Sequence, residues 1–490
     1  MTPTPRPSGP RRALLALLLA LAAPGLARAA PPPENRCPSL GGRPGSPAGE
    51  DALPVPLREG MVVTAGDLLR LRDLLPPELW RLREVFFHEG MRMEIGLCHR
   101  RYPVPAFYAE ATARFAGTAR LDDEGNLHEH VAGLPFPPDL IEPGPDAGAR
   151  WAWNFEQRYR GAGPRGSFRI VDMPSRTAGP FEYRGSFFFL QTGQRADLEA
   201  SGFRVPEAGD AVWIAGGRFD EPFETRHLAW RQLRPAETRR RYDKADDTFV
   251  YVPSMRKVRR AASTWVDGIF TPQYRASSGD DGGGGLAIGG DGYSGPQGAI
   301  QPTAARSAVV TENLRVGFTG LSLRPNAYRW RVLAEREVLA PLNGTREGYP
   351  TEPERNFGAS GLSVASDRWD VRYAVVLDGR RREPGGAFQR IELWIDWQTQ
   401  QPLYVVTKQK RGALVDVEIL VHRFSGDRRD YPPWPGGQPA LVFDPVAAVS
   451  YSPLAAGTGW RRESYDAVSV PGDPADTRRY TSTDFLMRGN

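Results

Sequence analysis

The sequence has few lysines and cysteines and, apart from one stretch near its start, no long apolar run. Only four of its 63 basic residues are lysine, and the positive residues are interspersed with 58 acidic ones. A surface that tracks nucleic-acid phosphates needs a concentrated positive face, so nucleic-acid binding is not expected. The chain still carries 50 aromatic residues among its 490 positions, which favours a globular protein with a large core over a disordered one.

The first 29 residues have the layout of a secretory signal peptide. Arg11 and Arg12 precede eleven apolar residues, 13–23, and residues 27–29 read Ala-Arg-Ala, a small-x-small cleavage pattern. A bilayer span takes about 20 apolar residues, and no later segment reaches that length. We therefore expect a periplasmic mature chain without a transmembrane segment, soluble or peripheral to the outer membrane. Export by the general or the twin-arginine route stays open.

Glycine and proline together account for 99 residues, about a fifth of the chain against roughly 12% in average proteins. This composition predicts many turns and few long helices. A Pro- and Gly-rich leader spans 30–56, and helical patterns occur at 64–85 and 146–160. In the second of these, Trp151 and Phe155 lie four residues apart on one predicted face.

Strands dominate the rest of the chain. Apolar and polar residues alternate with period two, which is typical of an antiparallel sheet packed on one face. We predict an α+β, mainly β fold with a large curved antiparallel sheet, a half-open barrel covered by a few helices. The predicted strands include Phe187–Leu190, Val212–Ile214, Phe249–Val252, Tyr328–Val332, Trp369–Val375, Ile391–Trp397, Leu403–Val405 and Val415–Val421. The predicted layout is a helical and extended region 57–165 packed on the sheet, a β domain 166–425 with a Gly-rich loop 278–298, and an irregular C-terminal segment 426–490.

Cys37 and Cys98 are the two cysteines of the chain. Glu-Asn-Arg precedes Cys37, which does not fit the small and apolar residues of a lipoprotein cleavage site, so an acyl anchor is not expected. In an oxidising compartment the two thiols either pair or stay free. A pair would close a loop of about 60 residues, worth roughly 4 kcal/mol in the chain-entropy model.

Two residue patterns are candidates for catalytic or metal chemistry. Ser254 and Lys257 have the Ser-x-x-Lys spacing of penicillin-binding enzymes, but they follow a strand and lack the partner motifs. His128 and His130 alternate in an extended segment, with no third ligand motif near them. We therefore expect no enzyme, no catalytic residue, no cofactor and no metal site. The other histidines are His88, His99, His227 and His422.

The densest positive cluster consists of Arg256, Lys257, Arg259 and Arg260. At a strand edge such a row is usually a solvated face that blocks edge-to-edge association. The alternative is contact with anionic lipid head groups or an acidic partner. The sequence leaves both interpretations open.

A set of short segments occurs in a fixed order along the chain: Val62–Asp67, Asp73–Pro76, Val131–Pro137, Trp153–Asn154, Arg158–Gly161, Tyr251–Ala261, Tyr328–Trp330, Glu337, Pro341–Asn343, Arg368–Trp369 and Ile395–Trp397. Together they resemble a large family of secreted Gram-negative proteins of unknown function, labelled outer-membrane lipoprotein-sorting proteins and placed near the lipoprotein carriers LolA and LolB. The resemblance covers about residues 55–425, with Leu342 in place of the family's usual tyrosine and an enlarged Gly-rich loop at 282–290.

The resemblance implies a curved sheet around an apolar cavity that holds lipid or lipoprotein acyl chains, and a resistance-nodulation-type membrane exporter as partner. It implies no catalytic residues. The expected function is a periplasmic carrier for a lipid or other hydrophobic cargo. The alternatives are a structural subunit of an envelope export complex that holds no cargo, and a periplasmic hydrolase that uses Ser254 and Lys257 or a metal at His128 and His130.

The aromatic rows of the strands are the candidate cavity lining. Arg329, Arg331, Asp370 and Arg372 are expected on the outer face, which would turn the neighbouring rings towards the concave side. The alternative, equally open, is that the rings fill a solid core. The candidate lining residues are Phe249, Tyr251, Tyr328, Trp330, Trp369, Tyr373 and Trp397.

Overall fold

The computed structural model describes most of the chain from Pro31 onwards, and this part packs as one unit. Among the described residues, none of the helices combines the length and hydrophobicity that crossing a membrane requires. The residues described are 31–40, 55–173, 180–223, 226–253, 256–261, 273–276, 307–310, 322–345, 358–383, 388–453, 459–482 and 486.

Most described residues lie in strands, because their side chains alternate between two packed or half-packed faces. The strands are β1 (Ser39–Leu40), β2 (Val55–Pro56), β3 (Val62–Val63), β4 (Met93–Cys98), β5 (Arg120–Leu121), β6 (Leu127–His128), β7 (Arg165–Met173), β8 (Phe181–Gln191), β9 (Ala211–Glu221), β10 (Ala229–Pro235), β11 (Asp247–Val252), β12 (Lys257–Ala261), β13 (Gln273–Ala276), β14 (Ser307–Val310), β15 (Tyr328–Ala340), β16 (Arg368–Arg381), β17 (Arg390–Asp396), β18 (Pro402–Lys408), β19 (Leu414–Phe424), β20 (Phe443–Ser452) and β21 (Gly459–Val468).

The helices are short, as the Gly and Pro content predicts. The pattern at 64–85 is broken at Pro76-Pro77 into a 3₁₀ turn and two brief helices, because proline cannot continue a helix beyond its first turn. The pattern at 146–160 forms one helix. The α-helices are α1 (Pro77–Arg81), α2 (Arg83–Phe86), α3 (Ala106–Arg114), α4 (Ala147–Glu156) and α5 (Pro474–Thr481), and the 3₁₀ helices are Ala65–Leu74, Pro138–Leu140, Ala196–Ser201, Pro206–Ala208, Ala236–Arg239, Pro325–Ala327 and Ser425–Asp427.

Fifteen strands form one sheet in the order β12-β11-β10-β9-β8-β7-β21-β20-β19-β18-β17-β16-β4-β3, with β15 also paired to β16. Every pairing in it is antiparallel except that of β16 with β4. In the described part of the chain the sheet is open, ending at β12 and β3. The predicted fold class, mainly β with a large antiparallel sheet and a few helices, is confirmed.

The expectation of an irregular segment at 426–490 is wrong. This region supplies β20 and β21, each of ten residues, and β21 pairs along its length with β7. These two strands join the β7–β12 half of the sheet to the β16–β19 half. The Pro- and Gly-rich stretches on either side of β20 masked its short apolar run in the sequence.

Both faces of the β16–β19 half are covered. Val405 of β18 packs in a cluster with Trp151 and Phe155 of α4, whereas its neighbours Tyr404 and Val406 pack with residues of the N-terminal region 57–102. Successive residues of a strand point to opposite faces, so the sheet lies between α4 and the N-terminal region. This arrangement buries the predicted apolar stripe of α4.

Cys37 and Cys98 form a disulfide, which settles the alternative that the sequence left open. The bond ties the amino-terminal strand segment to the end of β4. Next to it, the backbone N–H of Asn35 donates to the carbonyl oxygen of Cys98 at 2.9 Å. The segment before β1 is thereby held against the β4 edge of the sheet.

Candidate functional site

Tyr328 and Trp330, two of the predicted lining residues, are packed against α4. They are 1% and 6% exposed and belong to the cluster that contains Trp151. The indole N–H of Trp330 donates to the carbonyl oxygen of Pro325 at 2.8 Å, and its ring lies over Gly379 of the adjacent strand. These contacts make both rings part of the packed core around α4.

Trp369 lies in the other large cluster, with the N-terminal region. It is fully buried, its ring centroid is 5.9 Å from that of Phe87, and its indole N–H donates to the carbonyl oxygen of Val364 at 3.1 Å. The structure therefore does not bring Trp369 together with Trp330 around one space. Asp370 and Arg372, expected on an outer face, are each only 2% exposed, and that expectation is wrong.

Phe249 and Tyr251 are half-buried on β11, while the alternating residues Val250 and Val252 are buried. The two valines join an aromatic cluster on one face of β7–β11, and Phe249 and Tyr251 point to the opposite face. Tyr373 and Trp397 lie elsewhere, in the wall of a polar pocket.

The basic residues Arg256, Lys257, Arg259 and Arg260 lie at the edge of the sheet, where β12 is its last described strand. Arg260 forms an ion pair with Asp247 of β11. Their placement at an edge agrees with either interpretation of the cluster. Ser254, the candidate nucleophile, lies outside the described residues.

The two histidines singled out from the sequence have different neighbours. His128 Nε2 lies 2.9 Å from Asp122 Oδ2, and His130 Nε2 lies 3.0 Å from the carbonyl oxygen of Gly133. Burial lowers the pKa of His130 to about 4, so the ring is neutral near pH 7. Within the described ranges, no group of three or more His, Cys, Asp or Glu side chains is arranged to hold a metal ion.

An apolar groove of about 480 Å³ lies beside α3, and sequence reasoning missed it. Its wall comes from four separate stretches, 102–116, 134–140, 398–401 and 441–443, together with Tyr159. Ligand pockets that bury small apolar molecules typically measure about 300–1,000 Å³. The groove is therefore the size of a site for one chain-like or drug-sized apolar molecule.

One side of the groove is a face of α3. Ala109 and Ala113 of α3, and Ala116 in the turn that follows it, recur at spacings of four and three, line the groove and are exposed. Two large apolar side chains, Val104 and Leu140, stand at the rim with exposed fractions of 39% and 59%. A groove that leaves such side chains open to water is typical of a surface that an apolar ligand covers.

The phenols in the wall already have partners within the protein. Tyr102 Oη donates to Asp370 Oδ2 at 2.7 Å, and the hydroxyls of Tyr108 and Tyr159 donate to backbone carbonyl oxygens at 3.2 and 2.9 Å. Burial raises the pKa of all three phenols, which keeps them neutral at physiological pH. They contribute ring surface to the groove rather than charge.

Two other polar side chains of the wall are likewise engaged. Thr112 Oγ1 donates to a carbonyl oxygen of its own helix at 2.9 Å and accepts from the backbone N–H of Leu134. Gln400 donates to the carbonyl oxygens of Trp397 and Gln398, both at 2.9 Å. A wall whose polar groups are already paired inside the protein has little to offer a polar ligand, so the groove favours an apolar one.

A second pocket, of about 420 Å³, adjoins the groove. We call it the polar pocket because five charged side chains contribute to its wall: Glu34, Arg101, Asp139, Arg372 and Asp396. Gln398 lines both spaces. Tyr102 and Leu140 line the groove, whereas the residues just before them in the chain, Arg101 and Asp139, line the second pocket. Three chain segments therefore form the ridge between the two spaces, which places them side by side.

The floor of the polar pocket is a fixed ion pair. Arg372 Nε and Nη2 donate to the two carboxylate oxygens of Asp396 at 2.7 and 3.2 Å, and Nη1 donates to the carbonyl oxygen of Arg100. Both side chains of the pair are buried. Such bidentate pairing satisfies the buried charges and leaves the floor neutral overall.

Part of the chain matches the model of a known family. Residues 62–281 match the family described as "Protein of unknown function (DUF1329)", which confirms the resemblance to a family of unknown function predicted from the sequence. No curated protein matches the chain.

Solved structures show only distant likeness. A proposed outer membrane lipoprotein-sorting protein domain from Vibrio parahaemolyticus is 13% identical, with 70% of this chain and 100% of that chain covered and a TM-score of 0.39. A DUF1329 family protein from Desulfovibrio piger is 11% identical, with 70% of this chain and 100% of that chain covered and a TM-score of 0.38. A LolA superfamily protein from Nitrosomonas europaea is 13% identical, with 68% of this chain and 96% of that chain covered and a TM-score of 0.31. Likeness at this level does not bear on the function of this chain.

Proposed function

We propose that this chain is a periplasmic, non-enzymatic carrier that binds a lipid or another hydrophobic molecule in the groove beside α3. The observation that supports it is the groove itself: about 480 Å³, bordered by exposed Val104 and Leu140, with phenols and other polar wall groups hydrogen-bonded inside the protein. Export by the first 29 residues and delivery through an envelope transporter belong to the same proposal.

The free energy of ligand binding would come from burying apolar surface of the groove and of the ligand. Burial contributes about 25 cal/mol for each Å² removed from water, so a chain-like ligand in the groove gains affinity without any specific polar contact. Binding of this kind discriminates weakly between chains that differ by a few methylenes. We therefore expect a mixture of chain lengths on protein isolated from its own periplasm.

The proposal is tested by filling the groove with a side chain. Ala109→Trp places an indole in the groove from an exposed position of α3, and Glu110→Trp, at the neighbouring exposed position that does not line the groove, is the matched control. Bound lipid is measured by native mass spectrometry, and folding by thermal unfolding.

We expect Ala109→Trp to lose most of the bound lipid at unchanged thermal stability, while Glu110→Trp keeps it. Equal lipid on both variants and the parent chain would place the ligand elsewhere. Parent protein that never carries an apolar adduct, even after incubation with lipid, would refute the carrier proposal and favour a subunit without cargo.

A further inference from the structure

The ridge between the two pockets determines which parts of a single ligand would have to be apolar and which polar. Gln398 and the neighbouring pairs Arg101–Tyr102 and Asp139–Leu140 each present one side to an apolar space and one to a polar space. A molecule that crosses this ridge needs an apolar part on the groove side and a polar part on the other. A purely apolar ligand would leave the polar pocket unused.

The charges at the rim of the polar pocket carry both signs. Arg101 and Asp139 are exposed, and neither has an ion-pair partner among the described residues. Glu34, a third charged rim residue, accepts a hydrogen bond from the backbone N–H of Arg101 at 2.9 Å. The floor pair is neutral overall, and His99, which also lines the wall, has its Nε2 at 2.9 Å from Glu337 Oε1. The exposed rim charges are therefore the groups that a ligand's charges would meet.

A head group with a single negative charge would meet Arg101 but would also face two carboxylates. A head group with a single positive charge would meet the carboxylates and be repelled by Arg101. A head group that carries both a phosphate and an ammonium can place each charge beside its opposite. Tyr373 and Trp397, in the same wall, add aromatic surface of the kind that attracts ammonium groups.

We infer that the ligand is a zwitterionic phospholipid, with an acyl chain in the groove beside α3 and its phosphate and ammonium groups between Arg101 and Asp139. This inference rests on the proposed function, since it assigns the head of the molecule whose chain occupies the groove. The selectivity is modest because the rim charges are exposed to water. Exposed ion pairs are typically worth about 0.2–1 kcal/mol each, which corresponds to roughly a 1.4- to fivefold preference.

The test uses the full mature chain and three lipids with identical acyl chains: phosphatidylethanolamine, phosphatidylglycerol and diacylglycerol. They compete for the protein in detergent-free buffer, and the bound ratio is read by native mass spectrometry. We expect phosphatidylethanolamine to exceed each of the other two by a few fold. The double variant Arg101→Ala/Asp139→Ala is expected to reduce both ratios to about one.

Arg411→Ala, at an exposed turn away from both pockets, is the matched control and should keep the parent ratios. Equal binding of the three lipids to the parent chain, or ratios in the double variant that match the parent, would overturn the head-group assignment. A preference for phosphatidylglycerol would also overturn it and show that an anionic head is recognised. Failure of the proposed function gives a different result, since then none of the three lipids binds or Ala109→Trp fails to displace them.

Discussion

Trp330 and Trp369 provide a direct test of whether the aromatic rows form a solid core. Trp330 is 6% exposed and Trp369 fully buried, and each indole N–H donates to a backbone carbonyl oxygen. Truncating such a side chain removes its apolar burial, opens a cavity and removes the indole hydrogen bond. The oxygen of Pro325 keeps a second donor, the backbone N–H of Tyr328. For buried Trp→Ala changes the cost is about 3–5 kcal/mol, out of a total stability of about 5–15 kcal/mol for ordinary proteins.

We therefore expect Trp330→Ala and Trp369→Ala each to lower the free energy of unfolding by about 3–5 kcal/mol. Urea titration monitored by circular dichroism measures this, with Trp80→Ala, at a half-buried position, as the control that loses less. Neither ring lines the groove, so lipid bound per folded molecule should not change. A loss under about 1 kcal/mol, together with reduced lipid retention, would refute the reasoning and show that the rings face a ligand cavity.

Three further predictions concern other parts of the molecule. Replacing both Cys37 and Cys98 by serine should destabilise the chain by up to about 4 kcal/mol. We expect a lower melting temperature, which added reductant should no longer change. An unchanged melting temperature would mean that the disulfide contributes nothing to stability. Burial raises the pKa of Asp444 to about 7. The native state therefore holds a proton that the unfolded state releases near pH 4, and the free energy of unfolding should fall as pH rises from about 4 to about 7. Asp444→Asn should weaken that fall in a pH series of urea titrations, and an identical slope would contradict the assignment. If the β12 edge contacts anionic lipid, the double variant Lys257→Glu/Arg259→Glu should no longer sediment with anionic vesicles at low salt. Sedimentation equal to that of the parent chain would show that this edge is only a solvated face.

The parts of the fold that the sequence predicted are those in which local pattern and packing agree. Period-two alternation of apolar and polar residues located β15 to β19, although both faces of β16–β19 are covered in the structure. The aromatic spacing of α4 likewise matched its burial. The pattern failed at β20, where Pro445 and flanking Gly and Pro gave a loop-like composition to a strand that is paired on both sides.

The groove could not be found in the same way. It is assembled from residues near 102–116, 134–140, 398–401 and 441–443, and only tertiary packing brings these together. A local signal existed in the spacing of Ala109, Ala113 and Ala116, but small residues carry little periodic hydrophobicity. On β11 the alternation was recognised but the large rings were assigned to the inward face, whereas the structure turns Val250 and Val252 towards the buried cluster.

The pairing of β7 with β21 has a consequence for the timing of folding. Met173 pairs with Trp460, so two strands that are far apart in the chain are neighbours in the middle of the sheet. Such long-range pairings form slowly, because a large loop must close before they give any stabilisation. Phe443, the first residue of β20, also contributes to the wall of the groove. If the chain is exported unfolded by the general route, as one form of the proposed function requires, the groove cannot be complete until residue 443 has crossed the membrane, so the proposed ligand can bind only late in translocation.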